Sequence, residues 1–153
     1  MTKCKSMNTP MEMNFKKLCG DAARLVLANP FEYRQLIGAL MFLANTRPDI
    51  YFEVNTLSQY MIKPSHAQWI AAKHVLRYLH GTINLRLRDI VGDVRLHGKS
   101  ELDWVGKSSD RKSTYGCCFS LGSAMVSWMS RKQKFAALSM AEVEYVATSM
   151  ASC

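Results

Sequence analysis

The sequence predicts an α+β fold, a small helical bundle followed by a truncated antiparallel β-meander with one helix. Three observations carry this. Apolar residues recur at three and four between Tyr33 and Leu79, the period shortens to two after Gly81, and Ser139-Met140-Ala141-Glu142 forms a capping box that opens a last helical stretch.

Residues 1–30 hold no sustained period and break at Thr9-Pro10 and Asn29-Pro30, where the residue before each proline is biased toward extended geometry. They read as an arm. From Phe31, the stripe Tyr33, Leu36, Ile37, Leu40, Met41 and Ala44 predicts a helix that stops near Asn45. Thr46-Arg47-Pro48-Asp49 restarts the chain, with proline in the first turn and an acid near the helix N-terminus. Ile50, Val54, Leu57 and Met61 carry that second helix until Pro64 ends it. Ser65-His66-Ala67-Gln68 is a capping box for a third helix that runs through Trp69, Ala72, Leu76 and Leu79 and closes at Gly81. Residues 31–84 therefore form a helical domain.

Beyond Gly81, Leu85, Leu87 and Asp89 alternate with Arg86, Arg88 and Ile90, which predicts a strand. Val94 to His97 resumes it after a turn at Gly92-Asp93. Thr114 to Leu121 and Ala124 to Ser130 flank Gly122-Ser123, a hairpin signature. Val143, Val146, Ala147 and Met150 line the last helix. Residues 85–153 thus form a second domain, expected to be partial, because it stops at Cys153 with a sheet edge uncovered.

Composition narrows the function. Apolar residues make up 48% of the chain, enough for a buried core, so disorder is not expected. Lys and Arg number 20 against 12 Asp and Glu, and the resulting charge of +8 favours anionic partners such as nucleic acid or acidic membrane, with a merely soluble basic protein as an equal reading on composition alone. Five cysteines without C-x-x-C spacing imply reduced thiols and an intracellular setting. No signal peptide is expected, since the longest apolar run among the first thirty residues is Leu25 to Ala28. No membrane partner is expected either: Leu36 to Ala44 is about half the length of a span.

Particular runs then point to a family. Tyr33-Arg34-Gln35-Leu36-Ile37-Gly38-Ala39-Leu40-Met41-Phe42-Leu43, Thr46-Arg47-Pro48-Asp49-Ile50 and His74-Val75-Leu76-Arg77-Tyr78-Leu79-His80-Gly81-Thr82 resemble the reverse-transcriptase tail of copia-type retrotransposon polyproteins. Asp103-Trp104-Val105-Gly106, Asp110 to Thr114, Ser127 to Gln133 and Leu138 to Tyr145 resemble the opening of that family's RNase H domain. The β-meander is accordingly RNase H-like.

The resemblance implies which acids matter. The family's polymerase uses paired aspartates to bind metal, and this chain has no adjacent Asp-Asp. Its RNase H uses four carboxylates to hold two Mg2+ ions. The first falls on Glu101, where the family has aspartate, with Asp103 two residues on; the second falls on Glu142. The extra methylene at Glu101 moves the carboxylate by about an ångström, and displacement of that order can cost roughly a hundredfold in rate. With the other acids beyond Cys153, the expectation is relic positions, no cofactor and no catalysis. Glu142 also has the simpler role of closing its capping box, and Glu101 and Asp103 that of solvated strand residues.

Nucleic-acid contact is the expected surviving role. His66, Lys73, Arg77 and His80 form a basic stripe on the third helix, expected opposite the stripe led by Trp69 and Leu76, where an RNA–DNA hybrid or other nucleic acid would bind. An ordinary solvated face is the competing reading. Similar segments also occur among oomycete RxLR-type effectors, which implies the alternative of secretion into a host plant cell and a host protein partner. Arg77-Tyr78-Leu79-His80 approaches that motif but ends in histidine.

Overall fold

The computed structural model describes residues 4–12, 29–88, 90, 92, 94–103, 114–132, 145 and 149. Two compact units divide the chain, Met1–Arg86 and Leu87–Cys153. Helices and an antiparallel sheet make this an α+β protein, as the periodicities predict.

In the first unit, helix α1 (Pro30–Ala44) begins where local chemistry puts it. The Asn29 side chain accepts the Phe31 N–H at 3.2 Å and donates to Glu32 at 3.0 Å, while Pro30 presets the first helical φ. The chain then passes through a 3-10 turn (Pro48–Ile50) into α2 (Tyr51–Ser58) and, after a bend, into α3 (His66–Gly81). Tyr33, Ile37, Leu40, Ala44, Ile50, Val54, Leu57, Ala71, Ala72, Val75 and Tyr78 meet in one core. The Tyr33 hydroxyl donates to the Leu57 carbonyl at 2.8 Å, so α1 and α2 share a buried polar tie as well as apolar contact.

Two expectations about these helices need correcting. Met41 is 45% exposed, because the face that meets the core runs through Ile37, Leu40 and Ala44. The second helix ends at Ser58, well before Pro64. There the Ser58 hydroxyl donates back to the Asn55 carbonyl, and the next N–H groups close tight turns onto Leu57 and Ser58 instead of propagating the helix.

The second unit is a three-stranded antiparallel sheet in the order β1 (Leu96–Asp103), β2 (Thr114–Leu121), β3 (Ala124–Lys132). Its hairpin turns at Gly122, whose φ of 61° only glycine adopts without strain. Val126 is the extra residue where the β2–β3 register shifts between Phe119 and Ser120. Tyr115 and Cys117 are buried on one face of β2.

The strand expected over Leu85 to Ile90 is absent among the described residues, and the first strand begins at Leu96. Leu85 and Leu87, which alternation would put on one side, are exposed, and so is Ile90 on the other, so neither side is covered. Ile90 is instead clamped through its backbone N–H and C=O by the Ser123 hydroxyl. Tyr145 and Ser149 have helical backbone; the rest of the expected last helix lies outside the described residues.

Ile37→Ala should cost about 2–4 kcal/mol in urea unfolding, whereas Met41→Ala should cost less than about 0.5 kcal/mol. Equal losses at the two positions would contradict this assignment of faces.

Candidate functional site

Helix α3 begins with the Ser65–Gln68 pair, in which the Gln68 amide oxygen accepts the Ser65 N–H. Its inner side buries Gln68, Ala71, Ala72, His74, Val75 and Tyr78. His66, Lys73 and His80 are exposed on the outside, seven residues apart, and Arg77 is half-buried beside them. No Asp or Glu occurs anywhere in the helix.

Its apolar side departs from the expected one. Lys73 Nζ sits 4.7 Å from the centroid of the Trp69 ring, so the basic stripe runs beside Trp69 and not opposite it. A spacing of four makes the two neighbours, and the ring face attracts the ammonium. The buried part of the face runs through Ala71, Ala72, Val75 and Tyr78, of which the expected stripe held Ala72, while Trp69, Leu76 and Leu79 pack partly buried against the core's margin.

Sequence reasoning also missed two buried polar arrangements. Arg47, 8% exposed, makes a bidentate pair with Asp49 at 2.8 and 2.7 Å and also donates to the Thr82 carbonyl and hydroxyl at 3.1 and 2.8 Å. The Tyr78 hydroxyl donates to Asp49 at 2.8 Å, and the Thr82 hydroxyl donates to the Tyr78 carbonyl at 2.9 Å. Tyr78 of the Arg77-Tyr78-Leu79-His80 quartet is thus turned inward, inside a helix. The second arrangement is buried His74, whose Nε2 lies 2.9 Å from the Thr9 carbonyl, while Nδ1 lies 3.7 Å from Glu12. Met7 N–H adds a bond to the Arg77 carbonyl. The described part of the arm therefore lies along α3. At Gly81 an added Cβ would come within 2.8 Å of Ser6 Cβ.

The acids that the resemblance singles out stand on or near the sheet. Glu101 is exposed on β1 opposite Gly116, and Asp103 stands opposite Thr114. Glu142 lies outside the described residues. Among those described, no group of three His, Cys, Asp or Glu could hold a metal ion. Burial pushes the Cys117 thiol up, which favours its protonated form.

Comparison with known proteins bears on this arrangement. The chain is 41% identical over 146 residues to the retrovirus-related Pol polyprotein from transposon RE2 of Arabidopsis thaliana, covering 95% of the chain and 10% of that protein. It is 34% identical to the corresponding polyprotein from transposon TNT 1-94 of Nicotiana tabacum, over 96% of the chain and 11% of the relative. The secreted RxLR effector protein 161 of Plasmopara viticola is 43% identical over 78% of the chain and 86% of its own length. The chain belongs to the copia-type retrotransposon Pol polyprotein family. This Pol segment spans about a tenth of the length of the polyproteins it matches. No protein-family model and no solved structure matches it.

Two acids of the Pol segment respond to pH in opposite senses. Hydrogen bonds from Arg47 hold the Asp49 carboxyl below the usual carboxylate range, whereas burial pushes the Glu53 carboxyl up. A depressed pKa gives stability that is present above the unfolded value and lost as pH falls through the folded one; a raised pKa gives the reverse. Asp49→Asn should therefore cost on the order of 1 kcal/mol at neutral pH and flatten the fall in melting temperature below about pH 5. Glu53→Gln should instead raise the melting temperature at neutral pH, with the gain fading in acid. Thermal scans across pH check both signs.

Proposed function

We propose that this Pol segment binds the backbone of nucleic acid, such as an RNA–DNA hybrid, without sequence preference through the outer face of α3, and that it carries out no RNase H turnover. One observation carries the binding: exposed His66, Lys73 and His80 line a helix with no carboxylate, so nothing on that helix neutralises its field. Arg77 contributes from its half-buried position. The excess of +8 over the chain supports the same reading. Glu101 in place of the family's aspartate, and the lack of an Asp-Asp pair, support inactivity.

Anisotropy with a labelled RNA–DNA hybrid should show affinity falling steeply with salt, by about 0.9 log units per log unit of salt for each phosphate contact. Lys73→Glu should weaken binding on the order of tenfold and lower that slope by about one. Salt-independent binding, or an unaffected variant, would discard the α3 interface. Hybrid cleavage with Mg2+ above that of a Glu142→Gln control would overturn inactivity.

The identity to the secreted RxLR effector, over most of that protein's length, favours a second reading, in which the chain acts on a host plant protein to alter defence. With Tyr78 buried and hydrogen-bonded to Asp49, the Arg77–His80 quartet lends it no exposed linear motif. Expression in plant tissue should then change cell death; a response no different from that to an unrelated basic protein would remove this alternative.

A further inference from the structure

Helix α3 places one aromatic ring inside its basic stripe. At about 100° of turn per residue, His66, Trp69, Lys73, Arg77 and His80 fall within about 80° of one another, on the side away from buried Ala71, Val75 and Tyr78. Trp69 is only partly buried against the margin of the core, and Lys73 Nζ stands 4.7 Å from the centroid of its ring. The ammonium marks the face of the indole that is turned toward the basic side chains. We propose that this face is a stacking platform for an unpaired nucleobase, so that α3 takes single-stranded nucleic acid by its bases as well as by its backbone. This use of the helix rests on the backbone-binding reading above and fixes the strand state it prefers.

An indole face attracts both a cation and a nucleobase: its π electrons meet the ammonium electrostatically and the base by stacking. Stacking is the stronger of the two where the ring is partly open to water, so a base displaces Lys73 from the ring. The displaced ammonium then has a phosphate within reach. Lys73 lies one turn beyond Trp69 and Arg77 one turn beyond that, about 6 Å along the axis in each case, a spacing that successive phosphates of an extended strand can follow. In the exchange Lys73 trades the quadrupole of a ring for a full negative charge.

The paired interior of a duplex cannot use the platform. Its bases are stacked on their neighbours, so their faces are closed to a side chain; a single strand, or the unpaired end of a hybrid, offers them. Every base has such a face, which keeps the contact independent of sequence. The helix carries no carboxylate to repel a strand laid along it.

Anisotropy with oligothymidylate and with an abasic strand of the same length separates bases from backbone. The wild type should bind oligothymidylate on the order of tenfold more tightly than the abasic strand. Trp69→Leu, which keeps an apolar side chain against the core, should close that gap and leave the abasic strand bound as before, which also reports that the variant is folded. Oligothymidylate should quench tryptophan fluorescence in the wild type. Trp69→Phe should lose that quenching yet bind within about threefold of wild type, because its ring still stacks while the fluorophore is gone. Equal affinity of the wild type for the two strands overturns the platform and leaves the backbone reading standing. So does a gap that survives Trp69→Leu, or quenching that survives Trp69→Phe. Failure to bind either strand removes the backbone reading, and the platform with it.

Discussion

A guanidinium removed from water has to find partners for its donors, and in the helical unit that requirement falls on Arg47. Asp49 takes two of its hydrogen bonds and Thr82 two more, and Tyr78 and Thr82 close the network upon themselves. Removing one member costs more than the bond it makes, because the partner left behind stays desolvated. The network joins the turn between α1 and α2 to the last turn of α3. It therefore fixes how α3 is rotated about its axis.

That rotation also decides which residues of α3 face outward. With Tyr78 held inward, Val75, His74 and Ala71, three, four and seven residues before it, must also face inward. Lys73, His66 and His80 are left on the outside as a consequence. Ala71 and Ala72 let the helix approach the core closely, and His74 spends its ring nitrogens on the arm, not on a ligand. The basic face needs no special device of its own; it is what remains when the polar network and the core have claimed the other side.

The sheet follows a different logic. Buried Tyr115 and Cys117 lie on one face of β2, while on β1 charge alternates with small or apolar residues along an exposed strand. Glu101, which the resemblance would align with the family's first acid, faces Gly116 across the β1–β2 ladder and is exposed. A carboxylate so placed is free to serve whatever approaches that strand.

What the sequence determined by itself is local. Asn29-Pro30 starts α1, Ser65 with Gln68 starts α3, and Gly122-Ser123 turns the hairpin, because each rests on bonds between residues at most three apart or on a dihedral that one residue type allows. The runs shared with copia-type polyproteins were legible for the same reason: they are strings of residue identity. The tertiary structure alone decided the rest. Thirty-five positions separate Arg47 from Thr82 and sixty-five separate Thr9 from His74, distances over which no periodicity carries information. The alternation of Leu85 to Ile90 made no strand because nothing covers those residues, and Trp69 lies beside Lys73 because alanines hold the core face of α3. Burial is a property of what packs against a residue, and a sequence names the residue without naming its cover.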